Sequence, residues 1–164
     1  MEITTSYSTE SIQLFECFNK VKNTYIVRFD ETKIDDGYKY QHFFVSGNDD
    51  IEVIKSTINN YYNDICSDEI LKGFKLDSDT VWLSSENQMN YKIHYDFALF
   101  NHQNGLEFQP IKIKIGDETE SKYHTFQSFE EYQKFVFDYT EHIQNTISKC
   151  WQIKDAIDWE LYTI

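Results

Sequence analysis

Tyr25-Ile26-Val27-Arg28-Phe29, then Ile34-Asp35-Asp36-Gly37, then Tyr38-Lys39-Tyr40-Gln41-His42-Phe43-Phe44-Val45 is the stretch on which the fold turns. Its first run is rich in β-branched and aromatic residues, which suit a pleated, half-buried surface. The Asp-Gly pair carries a hairpin-turn signal, and the run after it returns as the partner strand. Ser46-Gly47-Asn48-Asp49-Asp50 reads as a loop ending in good helix N-cap residues. From Ile51 the apolar period lengthens: Ile51, Ile54, Ile58, Tyr61, Tyr62 and Ile65 share one helical face. Gly73 lies beyond that helix, so the first unit is ββα.

A second unit follows it. Thr80-Val81-Trp82-Leu83 is a short apolar run, and Ser85-Glu86-Asn87-Gln88 fits a capping box. The helix it opens is expected to turn Met89, Ile93, Phe97 and Phe100 inward and to stop near Asn104-Gly105. Residues 106–115 read as a strand, with Ile111, Ile113 and Ile115 inward and Lys112 and Lys114 outward. Pro110, the only proline, suits an edge or a bulge. Gly116-Asp117-Glu118-Thr119-Glu120-Ser121 reads as an acidic hairpin loop, and Lys122-Tyr123-His124-Thr125-Phe126 pairs back. Ser128-Phe129-Glu130-Glu131 is another capping box. Beyond it Phe129, Tyr132, Val136, Tyr139, Ile143, Ile147 and Trp151 recur at helical steps. Lys154-Asp155-Ala156-Ile157-Asp158-Trp159 reads as a short helical turn or an ordered tail.

The fold class is therefore α+β: antiparallel β-hairpins packed with three main helices, in the order ββα then αββα, behind a polar N-terminal arm. The expected divisions are an arm over residues 1–23, a ββα lobe over 24–79 and an αββα lobe with a C-terminal tail over 80–164. Residues 24–164 could equally form one compact domain. Within the first 23 residues, 11–18 alternate in part and read as an edge strand or a short helix, with the strand preferred. The remainder is Ser/Thr-rich and polar, unlike a signal peptide, and is expected to order only where it is tied down.

Composition narrows the function. The 164 residues carry 28 acidic and 15 basic side chains, a formal charge of −13, yet 40% are hydrophobic and 17% aromatic. That is core material rather than disorder. A −13 chain with one arginine is a poor partner for nucleic acid, whose phosphates and base edges call for basic forks. The longest apolar runs, such as residues 97–100, are far too short to cross a bilayer. Cys17, Cys66 and Cys150 are odd in number, widely spaced and form no Cys-x-x-Cys pair. They read as reduced thiols of a protein made in cytoplasm.

No spacing supports catalysis. His42, His94, His102, His124 and His142 form no His-x-His or His-x3-His pair. His94 and Asp96 lie about 200° apart on a helix, too far round to share a metal. The acidic pairs Asp35-Asp36, Asp49-Asp50 and Glu130-Glu131 decorate turns and helix starts. Neither a phosphate-cradling glycine loop nor Gly-x-Ser-x-Gly occurs. The sequence therefore predicts no enzyme, metal or cofactor. Its excess is aromatic, with 13 Phe, 12 Tyr and three Trp, residues that serve both cores and interfaces. The candidates for protein contact are Tyr7 in the arm and Trp159, Leu161, Tyr162 and Ile164 in the tail.

Val81-Trp82-Leu83-Ser84-Ser85-Glu86-Asn87-Gln88-Met89-Asn90-Tyr91-Lys92 resembles the opening of a family of small phage and prophage proteins of gut Bacteroidetes. Tyr123-His124-Thr125-Phe126 and Lys154-Asp155-Ala156-Ile157-Asp158-Trp159 are similar to its later motifs. Residues 25–30 and the Asp35-Asp36-Gly37 turn extend the resemblance over roughly residues 24–164. The family is encoded among virion and tail-fibre genes and supplies no catalytic residue to carry over. The resemblance implies a non-enzymatic virion structural protein, a head- or tail-appendage (fibre) subunit or adaptor, made in the bacterial host cytoplasm. Its partners would be other phage structural proteins and copies of itself, as a dimer or trimer, with no nucleic acid and no membrane. The alternative is a non-virion accessory, either an assembly chaperone or an acidic inhibitor of a basic host protein, to which the −13 charge lends itself.

Overall fold

The computed structural model describes residues 1–47, 49–116 and 121–162. The expected acidic tip at 117–120 and the candidate contact Ile164 lie outside them. Eight strands and three helices follow in the order β1 (Thr4–Ser8), β2 (Phe15–Asn19), β3 (Thr24–Ile34), β4 (Gly37–Ser46), α1 (Ile51–Lys72), β5 (Lys75–Leu76), β6 (Asp79–Thr80), α2 (Ser85–Gln103), β7 (Ile111–Gly116), β8 (Ser121–Phe126) and α3 (Phe129–Asp155), and a 3-10 turn closes at Trp159–Tyr162. The class is α+β, with one four-stranded antiparallel sheet and two two-stranded ones. The chain divides into two compact units, residues 1–62 with 154–164 and residues 63–153. Those boundaries fall inside α1 and near the end of α3, not at the positions 23 and 79 that the sequence suggests.

In the first unit the strands run β1-β4-β3-β2. The hairpin closes with Ile34 opposite Gly37 around Asp35-Asp36. Gly37 has φ +146°, and a Cβ there would come within 2.1 Å of the Ser8 carbonyl oxygen, so β1 can lie against the hairpin only with glycine at that point. Alternation turns Val27, Phe29, Phe43 and Val45 onto Ile54, Ile58 and Tyr62 of α1 to form the core.

Residues 1–23 correct the expectation of a polar arm, because they supply both edge strands. Thr4 to Ser8 pair with His42 to Tyr38, and the Thr5 hydroxyl donates to Gln41 Oε1 at 2.9 Å. Phe15 is buried and stacks on Tyr25 at 5.2 Å, while Arg28 ties β2 to β3 through Glu16 and the Gln13 carbonyl. A short edge strand meets solvent along one side and keeps polar residues there, so its composition imitates that of a free arm.

The C-terminal turn folds back onto this core. Tyr162 is 4% exposed and its hydroxyl donates to the Arg28 carbonyl at 3.1 Å; Trp159 and Ile157 pack beside it. Tyr61 donates to Asp30 Oδ2 at 3.1 Å, and Tyr62 to Oδ1 at 3.4 Å.

The second unit has its own core of Val81, Leu83, Tyr91, Ile113, Ile115, Phe126, Tyr132, Phe135 and Tyr139. β7 begins at Ile111 rather than 106, directly after Pro110, which lacks the N–H that a ladder needs. The α2 cap is Ser84, one residue earlier than expected; its Oγ accepts from the Asn87 N–H at 3.2 Å, and the Gln88 amide donates to the Leu83 carbonyl at 2.7 Å. Burial of Val81 and Leu83 leaves Ser84 at the bend. At α3 the expected cap holds, with the Glu131 N–H on Ser128 Oγ at 3.2 Å. Trp151, expected inward, is exposed.

The largest correction is the rotation of α2. Met89, Ile93, Phe97 and Phe100, expected inward, are 59%, 55%, 61% and 58% exposed. The buried face is Tyr91, Ala98 and Asn101. The Tyr91 ring meets Phe135 at 5.2 Å and Tyr139 at 5.9 Å, and Tyr95 stacks on Phe129 at 6.0 Å. Aromatic contact on one side outcompetes the aliphatic stripe on the other.

Two outcomes follow from this architecture. Removing residues 1–9 strips β1 from β4, so the thermal midpoint should fall by about 5 °C or more, given about 2–4 °C per kcal/mol for a chain of this size; an unchanged midpoint would restore the arm. Burial first, helped at Tyr61 by the Asp30 carboxylate, pushes the phenols of Tyr61, Tyr91 and Tyr162 up to about 12, and raises Tyr62, Tyr132 and Tyr139 as well. The unfolded chain ionises its tyrosines near 10, so above that pH the folded state holds more protons and stability declines toward pH 12. Absorbance at 295 nm should show only part of the 12 tyrosines titrating near pH 10, with the rest ionising as the fold is lost. Full titration with unchanged circular dichroism would contradict that burial.

Candidate functional site

The residues that the sequence marks for contact divide. Tyr7 is exposed on the edge strand β1, opposite Lys39. Trp159, Leu161 and Tyr162 share one turn, but Tyr162 is buried and Trp159 half-buried, leaving only Leu161 open. That turn is largely spent on its own unit. Among the described residues no group of three His, Cys, Asp or Glu could hold a metal ion, no helix is long and apolar enough to cross a membrane, and the three cysteines form no disulfide. His102 stacks on Phe129 at 4.4 Å, His124 lies 3.4 Å from Glu131, and His142 contacts the Glu69 carbonyl at 3.1 Å.

Two neighbouring surfaces of the second unit are open instead. One is the outer stripe of α2, where Met89, Ile93, Phe97 and Phe100 follow one another at steps of four, four and three residues. A helix apolar on opposite faces is normally covered on both. The other is a groove between α2 and β7. Its larger part, about 480 Å³, is lined by Trp82, Asn87, Asn90, Tyr91 and His94 facing residues 112–116. Its smaller part, about 280 Å³, adds Phe97, Ala98, Asn101 and residues 109–111, and shares His94 and Lys112 with the first. Lining by consecutive strand residues means that the edge of β7, rather than one sheet face, forms the wall.

Trp82 fixes one end of the groove. Its indole N–H donates to the Gly116 carbonyl at 3.1 Å, the Asn87 side-chain amide donates to the Trp82 carbonyl at 2.8 Å, and the Lys72 ammonium lies 5.8 Å from the indole centroid. The β7–β8 pair is a sheet of two, so among the described residues no strand pairs with β7 on the groove side. Lys112 and Lys114 are exposed there; Lys112 lies 4.3 Å over the Tyr123 ring, and neither pairs with a carboxylate among the described residues.

Sequence reasoning missed both surfaces. The signal for the stripe was an α2 with apolar residues on two faces. The signal for the edge was Pro110 at the start of an Ile-Lys alternation.

The chain matches no family model, and neither the curated proteins nor the solved structures give a match to it.

An outward stripe contributes little to folding. Measured at protein concentrations low enough that the wild type is monomeric, Phe97→Glu should change stability by no more than about 0.5 kcal/mol, as surface substitutions do. Phe135→Ala, at a side chain 2% exposed, should cost about 3–5 kcal/mol. Denaturant titration of both variants checks the rotation of α2, which a large loss for Phe97→Glu would overturn.

Proposed function

We propose that the protein is a non-enzymatic structural component of a bacteriophage particle, a head- or tail-appendage subunit or adaptor that works by binding protein. The observation carrying the binding half of this reading is the solvent-facing Met89, Ile93, Phe97 and Phe100. Methionine and aromatic residues are enriched at interfaces, and a contiguous patch of this size on one helix is typical of a contact surface. The particle half rests on the motifs at 81–92, 123–126 and 154–159.

A second copy fits the stripe by symmetry. Two α2 helices set antiparallel about a two-fold axis near Tyr95 bring Met89 against Phe100 and Ile93 against Phe97 of the other copy, giving an isologous contact. Lys92 and Asp96, 2.6 Å apart within one helix, border the stripe and face their opposites across such an axis. At −13 per copy, self-association works against mutual repulsion and tightens as salt rises.

Quantitative mass spectrometry of purified phage particles tests the particle reading. A fixed, multi-copy stoichiometry is expected, and absence from complete particles would leave the chaperone or the acidic host-directed inhibitor in its place. Light scattering tests the contact. The purified protein should be a dimer, more so at 0.5 M than at 0.05 M salt, and Phe97→Glu should give a folded monomer; a wild-type monomer at all salts would remove the stripe as a self-contact.

A further inference from the structure

We propose that the groove beside α2 takes an extended, acidic segment of a partner protein, which pairs with the free edge of β7 as a third strand. This goes beyond the assembly reading and does not depend on a phage particle.

The edge carries its own hydrogen-bonding groups. In an antiparallel strand the N–H and C=O of one residue point to the same side, and successive residues alternate. The Gly116 carbonyl is turned to Trp82, on the groove side. At the other end of the ladder the Gln127 N–H donates to Glu131 Oε2 and not to the Pro110 carbonyl, so Ile111 and Phe126 are a hydrogen-bonded pair; alternation then turns the N–H and C=O of Ile113 and Ile115 toward β8 and those of Lys112 and Lys114 into the groove. Beyond the β7–β8 ladder, the main chain of Lys112 and Lys114 makes no hydrogen bond among the described residues. An added strand would satisfy these groups in the manner of β-augmentation. Pro110 and the Trp82–Gly116 contact mark its two ends, which limits the paired segment to about five or six residues.

Charge selects the occupant. Lys112 and Lys114 project on one face of β7, two residues apart. A second copy pairing antiparallel about Ile113 would set Lys112 opposite Lys114 and Lys114 opposite Lys112, and like charges directly opposite destabilise a ladder. Lysine and proline on an edge are also a standard guard against pairing of identical edges. The same two ammonium groups favour a strand with Asp or Glu at alternate positions. In a chain of 28 acidic and 15 basic residues, two neighbouring lysines with no carboxylate partner among the described residues are a local exception to the field of the whole molecule. Toward α2, Trp82, Tyr91 and Phe97 offer apolar and aromatic contact for the side chains between the acidic ones.

The test uses the full chain, labelled with nitrogen-15, and three capped hexapeptides: valine alternating with glutamate, valine alternating with lysine, and the glutamate peptide N-methylated at alternate residues. The glutamate peptide should shift the amides of residues 111–116 and the Trp82 indole. It should bind about tenfold more tightly than the lysine peptide at low salt, the scale of two exposed ion pairs, and weaken as salt rises. The N-methylated peptide, unable to donate along one edge, should lose most of the binding. The exposed double variant Lys112→Glu, Lys114→Glu should invert the preference. Equal binding of the two charged peptides, undiminished binding of the N-methylated one, shifts away from the β7 edge, or no binding by any peptide would each overturn the proposal. The Lys112 and Lys114 double variant leaves the α2 stripe unaltered, so failure of the strand contact and failure of the α2 self-contact are read separately.

Discussion

A hydroxyl buried without an acceptor costs about 1–3 kcal/mol, and Tyr132, completely buried, must place one. It donates to the Tyr91 carbonyl in the second turn of α2 at 2.9 Å. That bond pins α2 by its backbone, and the rings of Tyr91 and Tyr95 set the rotation by packing on Phe135, Tyr139 and Phe129. Turning the helix to bury Met89, Ile93, Phe97 and Phe100 would move the Tyr91 carbonyl away from its donor and the two tyrosine rings into water. The open stripe and the wall of the groove both follow from this one constraint.

What the sequence revealed depended on whether a pattern had one solution. The hairpin at 24–46 was legible because Asp35-Asp36-Gly37 permits little else, and Gly37 is required twice, by its φ and by the approach of Ser8. The α3 stripe was legible through Tyr139 because a single face is apolar there. α2 had two solutions, and aliphatic periodicity chose the one that tertiary packing rejects. The edge strands at 4–8 and 15–19 were harder to see, since burial on one side leaves half an alternation to read. Of the candidate contacts, Tyr162 was chosen for its size, and size is also what drew it into the core. The groove could not be read at all, because it is made by β7 and α2 facing each other, not by any run of residues.

The exposed ion pairs on the helices contribute little to stability. Lys72–Asp68, Lys92–Asp96 and Lys134–Asp138 are exposed pairs one helical turn apart, and such pairs contribute a few tenths of a kcal/mol. In the latter two the lysine precedes the acid, the weaker order against the helix dipole. What these pairs do is neutralise lysines locally, so that the surface field stays negative. Among the described residues Lys112 and Lys114 have no such partner, because the neighbouring strand β8 sets Thr125 and Tyr123 opposite them rather than carboxylates.

The two open surfaces meet at one side chain. Phe97 belongs to the α2 stripe and also lines the smaller part of the groove. A second copy lying on the stripe and a strand seated against β7 would therefore touch the same ring. Residues that share a partner do not contribute independently, so the two contacts are coupled through Phe97 whatever their individual strengths. The place of that phenyl group is set from the other side of the helix, where Tyr91 packs on Phe135 and Tyr139 and Tyr95 on Phe129.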